Sequence, residues 1–128
     1  MDCRCLPKIR FAMVDAPLVS IIMNCYNGEM YLREAIDSVY AQTYQNWEII
    51  FWDNASTDAT QGIARSYNEK LKYFRSKETT ILGKARVEAT KQVNGDYIAF
   101  LDADDVWLEN KLEKQVALFV DVGGRVGF

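Results

Sequence analysis

The chain contains no histidine. That removes the commonest general base, the commonest transition-metal ligand and every Ser-His or Cys-His nucleophile pair. Any metal site must therefore be built from oxygen ligands, which suit Mg²⁺ or Mn²⁺. Cysteine is scarce and odd in number, with Cys3, Cys5 and Cys25. Such a set makes no disulfide framework. Cys3 and Cys5 are too few thiols for a complete chelate and read as incidental residues of a tail, and Cys25 reads as a half-buried strand residue. Long apolar runs are missing too. None approaches the roughly 18–20 residues of a membrane span, and the opening stretch mixes charge with a short apolar patch at Ile9 to Val14, which is not a signal peptide. A cytoplasmic location follows, with peripheral association at the inner face of the membrane left open. Excess positive charge is absent as well: Lys plus Arg is 15 and Asp plus Glu is 18, a formal net charge of −3. A slightly acidic chain is a poor partner for nucleic acid.

What remains is a globular composition. The 128 residues are 49% hydrophobic and 26% charged, enough for one domain. Residues 1–16 lack a clear period and read as a weakly ordered tail. Pro17 marks the entry to a domain over residues 17–128.

From there the hydrophobic period alternates. Leu18 to Cys25 is an apolar, β-prone run, as expected of a strand buried on both faces. After Gly28, the residues Leu32, Ala35, Ile36, Val39 and Tyr40 form one stripe of an amphipathic helix. Trp47 to Trp52 predicts a second strand. Ser56, Thr57 and Asp58 supply capping residues for a helix to about Tyr67, with Ile63 and Ala64 inward. Leu71 to Phe74 predicts a third strand. Gly83 to Val93 predicts a helix with a stripe at Leu82, Ala85, Ala89 and Val93, stopped by Asn94-Gly95. Tyr97 to Leu101 predicts a fourth strand, and Leu108, Leu112, Val116 and Phe119 a final helix. Strand–helix–strand alternation with long connections implies parallel pairing. The fold class is α/β, a mostly parallel sheet with helices on both faces.

In such sheets ligands gather beyond the carboxyl ends of the strands, and that is where the polar residues concentrate. The fourth strand is followed by Asp102-Ala103-Asp104-Asp105. Crowded carboxylates raise one another's pKa unless something neutralises them. A divalent cation would, and Asp102 and Asp104 could both turn toward it while open positions take substrate phosphates. The alternative is that Asp104 or Asp105 caps the final helix. Asp53, ending the second strand, could accept from a base N–H or a ribose hydroxyl, and Asn54 could donate or accept. For Asp53 and Asp58 the competing role is turn chemistry and capping. Tyr26, ending the first strand, offers a flat face for a base, or packs in the core. Arg86, one turn into the third helix, could meet a phosphate bidentately, as Lys84 could more weakly, or remain solvated. The indoles Trp47, Trp52 and Trp107 read as core or rim.

Three segments, VSIIMNCYNGEMYLREAIDSVYAQTYQNWEII, FWDNASTDAT and GDYIAFLDADDVWLENKLEKQ, together resemble the family 2 glycosyltransferases of the GT-A fold. The resemblance spans roughly Pro17 to Phe119. It implies transfer of a hexosyl group from a nucleotide-diphospho-sugar, a UDP-sugar in many members, to an acceptor hydroxyl with inversion. The acceptor, whether saccharide, lipid or protein, is left unnamed. Carried onto this chain, the resemblance implies that Tyr26 packs on the base and that Asp53 and Asn54 address uracil and ribose. It implies that Asp102 and Asp104 form the DXD motif that holds Mn²⁺ or Mg²⁺, that Arg86 faces the nucleotide, and that Asn24 and Glu29 line the pocket.

Three departures stand out. Many members carry two acids where this chain has Asp53-Asn54. Val87 stands where Asn commonly follows the Arg. The family's acceptor half and catalytic base lie downstream of the DXD helix, and no residue up to Phe128 is placed to deprotonate an acceptor hydroxyl. Gly127-Phe128 hints at another strand. The expectation is the donor-binding part of a longer enzyme, and the alternative is a non-catalytic nucleotide-sugar-binding module. A nucleotidyltransferase would want a Gly-rich basic loop after the first strand, which Tyr26-Asn27-Gly28 is not. An uncovered sheet edge would favour self-association as a homo-oligomer.

Overall fold

A computed structural model of the chain describes residues 16–122. The expected tail, with Cys3 and Cys5, and the strand signal at Gly127-Phe128 lie outside the described residues, except for Ala16. Strands and helices alternate in the order β1 (Val19–Cys25), α1 (Leu32–Tyr40), β2 (Trp47–Asp53), α2 (Thr60–Ala64), β3 (Leu71–Arg75), α3 (Leu82–Thr90), β4 (Tyr97–Phe100) and α4 (Lys111–Val122). The sheet runs β3-β2-β1-β4, and every pairing in it is parallel.

The central position of β1 explains its composition. It pairs with β2 from Val19↔Trp47 to Cys25↔Asp53 and with β4 from Val19↔Tyr97 to Ile22↔Phe100. A strand flanked and covered on all sides is mostly apolar, and here only Ser20 and Asn24, near its two ends, are polar. Val19, Ile21, Met23 and Cys25 face one core, which they share with the α1 stripe Leu32, Ala35, Ile36 and Val39, with Ala64 of α2 and with Leu112 and Val116 of α4. Ile22 faces the other side with Ile50 and Ala89 of α3. Helices therefore cover both faces. Each fully buried aliphatic side chain contributes on the order of 1.5–3 kcal/mol. Cys25 is buried at 5% exposure rather than half-buried. Among the described residues, no helix is long and apolar enough to cross a membrane.

Three helices differ from their expected spans. α2 is one short turn, Thr60–Ala64, and not a helix to Tyr67. Gly62 lies in its middle and weakens it, and the residues before it are drawn into loop contacts described below. α3 ends at Thr90, so Val93 packs on the second core from a turn. The final helix starts at Lys111, and Leu108 is 80% exposed instead of leading the buried stripe. Contacts with α1 and the α1–β2 connection hold that segment out of the helix: Gln42 Nε2 donates to Leu108 O at 2.7 Å, Thr43 N to Glu109 O at 2.8 Å, and Trp107 N to Ser38 Oγ at 3.1 Å. Trp107 packs on the core there. The indoles lie in the core or at its rim, Trp47 buried and Trp52 and Trp107 partly so.

At the amino end of the sheet, Glu48 is buried and fully engaged. Its carboxylate accepts from Ser20 Oγ at 2.5 Å, Lys72 Nζ at 2.9 Å and Asn94 N at 2.8 Å. This cluster joins β1, β2, β3 and the α3–β4 turn, and it sits opposite the end where the polar loops meet.

Candidate functional site

The chain goes from β1 to β2 on one side of the sheet and later returns to β4 on the other. A crevice is expected where neighbouring strands diverge in this way, beyond the carboxyl ends of β1 and β4. A pocket of about 270 Å³ lies there, with Asn24, Tyr26 and Tyr31 on the β1 side and Ala103 and Asp104 on the β4 side.

The β1 loop is shaped by the β2 loop. Asn27 N donates to Ser56 Oγ at 2.8 Å, Gly28 N to Thr60 Oγ1 at 2.9 Å, and Glu29 N to Asp58 Oδ2 at 3.2 Å. In return Thr57 N donates to Asn27 Oδ1 and Ala59 N to Glu29 Oε1, both at 2.8 Å. Asn27 and Ala55 sit at φ 50° and 63°, a region that costs an alanine about 1–2 kcal/mol. A Cβ on Gly28 would lie 2.6 Å from Cys25 Sγ, so this turn has no room for a side chain. Burial pushes the Cys25 thiol up to about 11, which keeps it protonated and un-nucleophilic.

Asp53 is engaged with the chain itself. It is fully buried. Oδ1 accepts from Ser56 N at 2.8 Å, and Oδ2 accepts from Tyr73 Oη at 2.5 Å and Arg75 Nη1 at 3.0 Å. The Ser56 contact is the turn chemistry expected of this position, and it spans Ala55. Asn54 is buried too, with its amide facing Ser76 and Thr80. Glu29 is an exposed brace whose Oε1 is committed to Ala59 N. Asp58 caps the start of α2 through Thr60 N at 2.9 Å.

The β4 loop contrasts with this. Carboxylate oxygens of Asp102, Asp104 and Asp105 lie within 4.8 Å of one another, and all three residues are exposed. The capping alternative fails, because α4 begins at Lys111, well past Asp105. Among the described residues, neither Asp104 nor Asp105 has a hydrogen bond or ion pair to its carboxylate. Asp102 has one long contact, Arg86 Nη2 at 3.7 Å, and Arg86 also lies 5.3 Å from the centroid of the Phe100 ring. Hard oxygen donors at this spacing fit Mg²⁺ or Mn²⁺.

Four of the expected residues thus share one region: Asn24, Tyr26 and Asp104 on the pocket wall, with Asp102 two residues before the last. Arg86 joins them through Asp102. Tyr26 is 53% exposed, so it is not a core residue. Asn24 Nδ2, like Nε1 of Trp47 and Trp52, is buried without a hydrogen-bond partner, and unlike them it belongs to a residue of the pocket wall, where an acceptor would satisfy it. Sequence reading passed over Tyr31. Its position just ahead of α1, directly after the first loop, was the available signal.

A family model described as "Glycosyl transferase family 2" matches residues 20–125. The chain is 39% identical over 108 residues to the Escherichia coli UDP-Glc:alpha-D-GlcNAc-diphosphoundecaprenol beta-1,3-glucosyltransferase WfgD, covering 84% of this chain and 43% of that enzyme. Among solved structures it is similar to Staphylococcus aureus TarS 1-349 in complex with UDP, with a TM-score of 0.77, 30% identity, and coverage of 80% of this chain and 32% of that one. It is also similar to the mannosyltransferase PcManGT of Pyrobaculum calidifontis in complex with GDP-Man and Mn²⁺, with a TM-score of 0.68 and 28% identity over 73% of this chain and 29% of that one. The chain thus spans less than half the length of each of these relatives. A parallel sheet whose acids, aromatic and arginine meet beyond β1 and β4, and a family match over most of its length, place this chain in glycosyltransferase family 2, with the GT-A fold.

Proposed function

We propose that the chain forms the donor- and metal-binding part of an inverting glycosyltransferase that moves a hexosyl group from a UDP-sugar to an acceptor hydroxyl. One observation carries this reading: three exposed carboxylates, answered among the described residues only by one long contact from Arg86 to Asp102, converge beside a pocket that also holds a free aromatic face and an orphaned amide donor. The UDP bound by TarS and the UDP-Glc in the name of WfgD support the choice of base. The Mn²⁺ bound by PcManGT supports the metal.

In this reading Asp102 and Asp104 hold Mn²⁺ or Mg²⁺, with Asp104 the more direct ligand. A cation held there would supply positive charge for the departing diphosphate. Tyr26 packs on the base, and the Asn24 amide donates to the nucleotide. Arg86 turns from Asp102 to a phosphate oxygen. Asp53 and Glu29 act behind the surface by fixing the loops that carry these groups. Deprotonation of the acceptor hydroxyl falls to a base outside this set.

Titration calorimetry tests the reading. UDP should bind in the presence of Mn²⁺ and much more weakly with chelator. Asp104→Ala should remove the metal-dependent part, at least about tenfold in affinity, while leaving the thermal midpoint within about 2 °C, because the side chain has no partner to lose. Equal UDP affinity with Mn²⁺ and with chelator in the unmodified chain would refute it.

A further inference from the structure

Asn54 stands where many family members carry a second acid, and both ends of its amide are engaged with the chain. Nδ2 donates to Thr80 O at 2.7 Å. Oδ1 accepts from Thr80 N at 3.0 Å, Thr80 Oγ1 at 3.2 Å and Ser76 Oγ at 3.3 Å. Thr79 Oγ1 adds to the same joint by donating to Asn54 O at 3.3 Å, while Asn54 N donates to Cys25 O at 2.8 Å and so holds the end of β2 to β1. A side-chain amide has one donor end and one acceptor end. Here they match the carbonyl and the N–H of a single residue, Thr80, as a neighbouring strand would.

Thr80 belongs to the irregular segment between β3 and α3. Beyond Ser76, that segment has few other tethers to the sheet. It leads directly into α3, which begins at Leu82 and carries Arg86 to Asp102. We propose that Asn54 is a positioning residue: its amide latches the β3–α3 segment to the end of β2 and so sets Arg86 against the acidic loop, rather than touching the nucleotide. The part of this that concerns nucleotide binding rests on the reading above. The latch itself does not.

The chemistry makes aspartate the decisive substitution. An ionised Asp can accept from Thr80 N but presents its second oxygen to Thr80 O, where only a donor fits. If Asn54 instead met a base directly, Asp would supply an acceptor for a ring N–H and would preserve or improve binding.

The test reads amide hydrogen exchange without nucleotide and UDP affinity with Mn²⁺. In Asn54→Asp, exchange at Thr80 should be about tenfold faster, with the β1 amides unchanged, and UDP affinity should fall about tenfold. In an Arg86→Ala background, Asn54→Asp should have no further effect on affinity, because the latch acts through Arg86. Retained or tighter UDP binding, unchanged Thr80 exchange, or additive losses in the double variant would each overturn the proposal. If Asn54→Asp does not fold, Asn54→Ala gives the same exchange readout without the added charge. If the unmodified chain binds no UDP, the donor-site reading fails, and Thr80 exchange still decides the latch.

Discussion

Asp53 and Asp104 stand at the same end of the sheet, beyond β2 and β4, with only β1 between those strands. Asp53 is fully buried and accepts from Ser56, Tyr73 and Arg75. Asp104 is exposed, lies beside two further acids and has no partner among the described residues. The difference separates two uses of a carboxylate. The chain meets every requirement of one, which makes it part of the scaffold. It leaves the other unsatisfied beside a pocket, where a cation and phosphates can complete it. Residue type at a strand end does not separate these uses. The surrounding donors do.

Three further substitutions would sharpen or break that contrast. Asp53→Ala should be the most damaging. It strips the Ser56 amide and the Tyr73 hydroxyl of their acceptor, uncouples Arg75 and leaves Ala55 in an unsupported left-handed turn. Breaking a buried pair costs about 3–5 kcal/mol, and partial exposure of Arg75 (36%) lowers this to about 2–4 kcal/mol. Urea unfolding would measure it. A loss below about 1 kcal/mol would place Asp53 with the ligand-directed acids instead.

Glu48 extends the scaffold class to the opposite end of the sheet. Burial works to raise its pKa, but hydrogen bonds from Ser20, Lys72 and Asn94 outweigh it and hold the group below the usual glutamate value. A carboxylate with a depressed folded pKa stabilises the fold above its unfolded value, about 4.3. That contribution is lost as pH falls through the folded value. Glu48→Gln should therefore cost about 1–2 kcal/mol at neutral pH. It should also flatten the decline of the thermal midpoint below about pH 4.3. An unchanged acid limb would show that other carboxylates control it.

The smallest stability effect belongs to Arg86→Ala. Its contact with Asp102 is 3.7 Å long and exposed on both sides, and such pairs contribute about 0–1 kcal/mol. Chemical denaturation should barely register the change, whereas UDP affinity should fall at least about tenfold through loss of a charged hydrogen bond. The reverse pattern would make Arg86 a scaffold residue.

Much of this was legible before any coordinates. Apolar period fixed the order of elements, and the two innermost strands, VSIIMNC and WEIIFWD, were placed to within a residue or two. The three loops were found because strand ends in parallel sheets gather ligands. Two boundaries were missed for a common reason. Leu108 continues a helical stripe by spacing, yet Gln42 and Thr43 of the α1–β2 connection claim the carbonyls of Leu108 and Glu109. Likewise the residues ahead of α2 serve the β1 loop before they serve a helix.

The sequence by itself determined the α/β class, the strand order along the chain and the clustering of acids beyond the fourth strand, because period and composition are local and set by which faces must be buried. Only the tertiary structure decided which polar residues are spent on the protein and which remain for a ligand. Asp53, Asn54 and Asp104 are alike as strand-end polar residues, but Tyr73 and Arg75 reach Asp53, and Ser76 and Thr80 reach Asn54, from 20 or more residues away. Such pairings depend on how separate loops meet in space, and no local pattern encodes them.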